Sequence, residues 1–160
     1  MAGNLLFDIA LKKAMSFCAG REYCNSEIRK KLSSWEVPND DSERIMRILT
    51  KEKFIDEERY AIAFTKDKFR YNKWGKIKIS SALKMKRIPD DKISIALNTI
   101  DDSEYLDLLR NIIEKQKRTV KSRNQYDLKG KILRHCLSKG FESQLVYDLL
   151  KGRGGREGQN

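Results

Sequence analysis

The sequence predicts an all-α protein made of three successive three-helix repeats, with a period of about 50 residues. Three observations carry that expectation. Apolar residues recur at spacings of three and four along the chain, and no short run alternates apolar with polar side chains in the manner of a half-buried strand. The segment Ile28, Leu32, Val37-Pro38-Asn39-Asp40 returns as Ile79, Leu83, Ile88-Pro89-Asp90-Asp91, an offset of 51 that keeps apolar spacing, proline and acidic residues in register. Of 160 residues, 39% are hydrophobic and 36% charged, which suits an elongated stack with much surface better than one large core.

Taken in order, Leu5, Ile9, Lys12, Ala14 and Phe17 open a first helix, expected to end near Gly20, a residue suited to a left-handed cap. Ile28, Lys31 and Leu32 share a face of the second, which must stop before Val37-Pro38 because proline disfavours helix in the residue before it. Asn39 to Ser42 offer caps to a third helix with Ile45, Ile48 and Leu49 on its apolar face. The second round begins at Ile55-Asp56-Glu57-Glu58 with Tyr60, Ala61 and Phe64. It breaks at Gly75, resumes with Ile79 and Leu83, and closes on Ile93 and Leu97. A third round runs through Tyr105, Leu108, Leu109, Ile112 and Ile113, then Leu128, Ile132, Leu133 and Leu137, then Leu145, Val146, Leu149 and Leu150. Aligned on Leu133 and Leu137, its second helix ends one residue earlier than the others and without proline. The expected divisions are 1–53, 54–101 and 102–150, followed by a Gly- and Arg-rich tail over 151–160.

The formal net charge of +11 is unevenly distributed. Residues 1–65 are neutral and residues 88–114 acidic, whereas 66–87 carry nine cations against Asp67 alone and 115–139 carry nine against Asp127 alone. Such clustering points to phosphate or an acidic protein surface as the partner. The first block interleaves Phe69, Tyr71 and Trp74 with its cations, a combination that can hold phosphates and stack on exposed bases; Tyr71 and Trp74 fit either core or interface.

Several functions find no residues to carry them. Cys18, Cys24 and Cys136 are odd in number, form no Cys-x-x-Cys and have only His135 as an imidazole companion, so neither a disulfide framework nor a zinc site is expected; Cys18 and Cys136 are expected to pack as small apolar residues. Glycine-rich phosphate loops, paired histidines and a Ser/His/Asp set are missing, and no cofactor or catalytic activity is expected. The identical tetrapeptides Asp40-Asp41-Ser42-Glu43 and Asp101-Asp102-Ser103-Glu104 are read as helix caps rather than metal or catalytic carboxylates. Without an apolar run long enough to span a bilayer, the chain is expected to be cytoplasmic, with no membrane partner.

One set of motifs resembles a known family. Arg21-Glu22, Glu27-Ile28-Arg29-Lys30-Lys31-Leu32, Phe54-Ile55-Asp56-Glu57-Glu58-Arg59-Tyr60-Ala61, and Trp74-Gly75 with Lys78-Ile79 and Leu83 follow one another as in RecX proteins. The resemblance implies three tandem three-helix repeats in a curved, elongated array. It also implies a negative regulator of the RecA recombinase in recombination and DNA repair. Such a protein would bind the RecA filament on single-stranded DNA and inhibit its assembly, ATP hydrolysis and strand exchange. Two departures stand out. Cys24 replaces a serine that would form a capping box with Glu27, so Asn25 or Ser26 is expected to cap instead, and Glu36 and Arg87 occupy turn positions where relatives often carry glycine.

Lys66, Lys68, Arg70, Lys73, Lys76, Lys78, Lys84, Lys86 and Arg87 are therefore the expected contacts to RecA or DNA, with DNA reached through the filament and the chain acting as a monomer. Arg21, Lys121, Arg123, Lys129, Lys131 and Arg134 form a weaker set. Two other readings stay open: a helix-turn-helix reader of duplex DNA, disfavoured because the helices present lysine rather than the Arg, Asn and Gln of base readout, and a protein-binding scaffold without nucleic acid.

Overall fold

The computed structural model describes residues 2–152, and among them the chain is helical throughout, with no strand. The elements are α1 (Ala2–Gly20), α2 (Asn25–Ser34), α3 (Asn39–Lys51), α4 (Glu57–Arg70), α5 (Lys76–Met85), α6 (Asp90–Leu97), α7 (Asp102–Thr119), α8 (Gln125–Ser138) and α9 (Ser143–Leu150). They follow in the three rounds of three that the sequence predicts. From residue 153 on, the expected tail lies outside the described residues. The described residues form two compact units, 2–64 with 83–96 and 65–82 with 97–152, so that the divisions fall inside α4 and α5 and at the end of α6.

In the first unit α1, α2 and α3 pack on one another around Phe7, Ala10, Ala14, Tyr23, Ile28, Leu32, Ile45, Met46, Leu49 and Ile55. The face of α1 that enters this core is only partly the expected one, since Ala14 is buried and Phe17 packs against the core, but the first turns differ. Leu5 and Ile9 are 61% and 53% exposed, while Phe7, Ala10 and Ala14 point inward. Both stripes have helical spacing, and only the neighbouring helices decide between them. Cys18 is half-buried and Cys24 fully buried.

The start of α2 also departs from expectation, because Cys24 keeps the N-cap place and neither Asn25 nor Ser26 takes it over. Glu27 accepts the Cys24 N–H at 3.1 Å, a bond that needs only the glutamate, and the Cys24 sulfur lies 3.2 Å from the Ser26 hydroxyl. The twin acidic tetrapeptides part company in the same way. Asp101 caps α7 by accepting the Glu104 N–H at 3.0 Å, but α3 has Pro38 at its N-cap, and Asp40 and Asp41 lie inside the first turn, where they favour the helix dipole and Asp41 pairs with Arg44 at 3.7 Å.

In the second unit α7, α8 and α9 pack on one another, with Tyr105, Leu109, Ile113, Ile132, Cys136, Phe141 and Val146 buried. The Cys136 thiol is pushed up to about 11 by that burial. Thus the inward pair of α8 is Ile132 and Cys136, and Leu137, 42% exposed, is not its partner. This corrects the register of the third round: the buried sulfur stands where Leu32 and Leu83 stand in α2 and α5.

With that register the three second helices close alike. Val37, Ile88 and Phe141 donate their N–H to the carbonyls of Leu32, Leu83 and Cys136 at 3.0 to 3.1 Å, and the residue just before each, Glu36, Arg87 and Gly140, has positive φ (59°, 65° and 95°). This is the bond that runs back over a left-handed residue at a helix end. The third turn is therefore the same length as the others. Glu36 and Arg87 adopt the left-handed backbone in spite of their side chains, at a cost of about 1–2 kcal/mol each. Gly20 does not adopt it; α1 ends there, and residues 22–24 are non-helical before α2 begins.

Candidate functional site

The first basic block begins on the last turns of α4, where Lys68 and Arg70 complement the negative end of the helix dipole. The chain then reverses through residues 71–75, and Lys73, at φ 60°, makes the left-handed step; Gly75 is not what ends α4. Its role is close approach. A Cβ on Gly75 would lie 2.6 Å from the Phe141 nitrogen and against the Gly140 carbonyl, so only glycine lets these strands of backbone touch.

The contact supplies acceptors to the start of α5. Gly75 donates its N–H to the Lys139 carbonyl at 2.7 Å, Lys76 to the Tyr105 hydroxyl at 2.9 Å, and Ile77 to the Gly140 carbonyl at 2.9 Å. Tyr105 is itself buried between Phe69 and Phe141 and donates to the Glu142 carboxylate; burial and that carboxylate hold its hydroxyl far above the usual tyrosine range. With these amides satisfied inside the protein, the first turn of α5 has little left to offer a phosphate, and recognition here falls to side chains.

Those side chains gather around Trp74. Lys68 and Lys78 place their ammonium groups 5.2 and 4.8 Å from its ring centroid, an arrangement worth roughly 0.5–1 kcal/mol each at a solvated site. Trp74 is half-buried, and Tyr71, 72% exposed, stands clear of the core. A further cation comes from the second block: Lys139 donates to the Asn72 carbonyl at 2.8 Å, and Lys78 reaches the Ser138 carbonyl at 3.4 Å. Sequence reasoning missed this convergence, since nothing in the chain between residues 78 and 139 signals that the end of α8 returns to the 71–75 turn.

The remaining cations of this block are differently engaged. Lys76 lies over the Tyr105 ring at 4.8 Å and 3.9 Å from Asp102. Lys66, Arg70 and Lys73 line a groove of about 430 Å³ whose other wall, on α7, carries Glu104 and Asp107, so acid moderates the field there.

Lys84, Lys86 and Arg87 belong to the first unit. Lys84 is exposed, Arg87 forms the left-handed turn, and Lys86 is tied to Glu27 at 2.9 Å while its carbonyl accepts the Ser26 hydroxyl at 2.8 Å. Burial opposes the Glu27 carboxylate, but bonds from Lys86 and the Cys24 amide outweigh it and hold its pKa below the usual glutamate value. Lys86 thus serves the packing of its own unit.

Among the weaker set, Arg21 stacks on Tyr23 at 3.7 Å and lies 3.9 Å from Glu27. Arg123 and Lys131 converge on Asp127 at 3.8 and 3.3 Å, and Lys131 also donates to the Lys121 carbonyl at 2.7 Å. These contacts tie down the 120–124 loop that joins α7 to α8. Lys121, Lys129 and Arg134 are exposed. Among the described residues no group of three His, Cys, Asp or Glu converges to hold a metal ion, and no helix is long and apolar enough to cross a membrane.

Comparison with known proteins gives one consistent answer. Residues 56–97 match the second three-helix domain of RecX and residues 102–150 the third. The regulatory protein RecX of Clostridium acetobutylicum is 30% identical over 146 residues, covering 89% of this chain and 67% of the relative. That of Lactococcus lactis subsp. lactis is 32% identical over 131 residues, or 80% of this chain but 48% of the relative, so the chain spans about half the length of that protein. Two crystal structures share the fold: RecX from Lactobacillus salivarius, with a TM-score of 0.83 at 19% identity over 91% of this chain and 95% of that one, and a second regulatory protein RecX, with 0.86 at 22% identity over 95% and 74%. The chain therefore belongs to the RecX family, a family of regulatory proteins rather than of enzymes.

Proposed function

We propose that this chain is a negative regulator of RecA that binds the recombinase filament on single-stranded DNA and inhibits its assembly, ATP hydrolysis and strand exchange. It works as a cytoplasmic monomer of three repeats, 1–53, 54–101 and 102–150, and acts where RecA already covers single-stranded DNA. The observation that carries the reading is the cluster at the 71–75 turn: Lys68 and Lys78 flank the half-buried Trp74, Lys139 is bonded to the Asn72 carbonyl, Tyr71 is exposed, and Lys73 donates to the Arg70 carbonyl. Cations mounted on aromatic and backbone supports give a rigid positive surface suited to the phosphates and acidic side chains of a nucleoprotein filament. The same cluster favours this reading over a scaffold indifferent to nucleic acid.

The test is RecA ATP hydrolysis on single-stranded DNA, titrated with the full chain. Turnover should fall as the chain is added. The pair Arg70→Glu and Lys73→Glu, both exposed, should raise the half-inhibitory concentration by about tenfold, equivalent to about 1.4 kcal/mol. Unchanged hydrolysis and strand exchange with the wild-type chain would overturn the proposal.

A further inference from the structure

Between α8 and α9 lies a groove of about 440 Å³, separate from the cluster at the 71–75 turn. Tyr126, in the first turn of α8, and Tyr147, on α9, both line it and are 90% and 46% exposed. Lys129 and Arg134 of α8 and Lys151, just beyond α9, supply positive charge along the same lining. The carboxylate there, Asp127, is already matched by Lys131 at 3.3 Å and by the Arg123 N–H at 3.0 Å, so the groove keeps its net positive field.

Gly130 gives a second, independent indication. It sits in the interior of α8 with ordinary helical backbone, where glycine weakens a helix relative to alanine. Packing does not require it: a Cβ at this place would meet only the far end of the Arg134 side chain, at 3.4 Å. What glycine does here is leave the groove lining open down to the helix backbone. An apolar peptide would not use the three cations, of which Lys151 lies over the Tyr147 ring at 5.8 Å, and an acidic peptide would not use two exposed aromatic side chains. Flat rings, cations and an unobstructed floor together fit a polymer of stacked bases and phosphates, and the volume is within the range of small-ligand sites.

We propose that the α8–α9 groove is a binding site for single-stranded nucleic acid, in which bases stack on Tyr126 and Tyr147 while neighbouring phosphates meet Lys129, Arg134 and Lys151. The site is independent of the RecA reading, and its test uses no RecA. Fluorescence anisotropy of a labelled oligo(dT) with the full chain, over a range of salt, should show binding that weakens as salt rises. Tyr126→Ala and Tyr147→Ala should each reduce affinity by about 5- to 100-fold, while Tyr126→Phe and Tyr147→Phe retain it, because stacking needs the ring and not the hydroxyl. Gly130→Gln should weaken binding while leaving the helical circular dichroism intact, and it decides the matter if a tyrosine variant misfolds. Unchanged oligo(dT) affinity in the folded alanine variants and in Gly130→Gln would overturn the proposal. So would equal affinity of the wild-type chain for poly-glutamate or for duplex DNA at matched charge.

Discussion

Replacing Gly75 by alanine puts a methyl group 2.6 Å from the Phe141 nitrogen and against the Gly140 carbonyl, all of it backbone that cannot rotate aside. Ordinary contact begins near 3.5 Å, so the 71–75 turn and the end of α8 must part by about 1 Å. That displacement stretches the Gly75–Lys139 and Ile77–Gly140 hydrogen bonds, now 2.7 and 2.9 Å, past useful length. Two lost bonds cost about 1–1.5 kcal/mol each, and overpacking adds about 1–3 kcal/mol, for a total of roughly 3–6 kcal/mol. Against a typical stability of about 5–15 kcal/mol, such a loss is severe. Gly140→Ala should be at least as damaging, since its Cβ would approach the Lys78 backbone nitrogen to 2.6 Å at a φ of 95°. The assay is urea unfolding followed by helical circular dichroism, with Gly20→Ala as control, because a Cβ there meets nothing within 4 Å. A Gly75→Ala midpoint shift worth less than about 1 kcal/mol, at unchanged slope, would refute the reasoning.

Glu36→Gly and Arg87→Gly should each raise the melting temperature, with a net gain of about 0.5–1 kcal/mol once the greater freedom of unfolded glycine is subtracted from the relief of positive φ; a fall in melting temperature would count against it. The depressed Glu27 pKa makes a contribution to stability that is present above the unfolded glutamate value, about 4.3, and is lost as pH falls through the lower folded value. Glu27→Gln should therefore be less stable than wild type at pH 7, and the gap should narrow as pH falls below the usual glutamate value, as read from melting curves over that range. Lys86→Met removes the partner of Glu27 and should lower stability at pH 7 without changing oligo(dT) binding, whereas Lys129→Met should do the reverse. Anisotropy and melting measured on both variants check the pair.

The helical rounds are written in local spacing, which is why Pro38 and Pro89 and the apolar pairs before them could be read directly from the chain. The choice of face on α1 could not, because Leu5 and Phe7 both continue a helical stripe and burial is settled by α2 and α3. Aligning the third round on Leu133 and Leu137 put it one residue out of step, since cysteine carries less weight in an apolar pattern than it does in a core, where Cys136 is fully buried. The two charge blocks are equally plain in the sequence, but their uses are not. Lys86 looks like its neighbours until Glu27 is found beside it, and Lys139 looks like an ordinary exposed lysine until α8 brings it to Asn72.

The junction at Gly75 bears on how the protein is made. On the ribosome the early helices α1 to α3 have all their mutual contacts once residue 55 or so has emerged. The opening of α5 is different, for its acceptors on residues 139 and 140 arrive some 60 residues later. At about 5–20 residues per second that is a wait of roughly 3–12 s. The junction therefore closes only when the end of α8 is available, so residues 75–77 take up their final hydrogen bonds as a late step of folding.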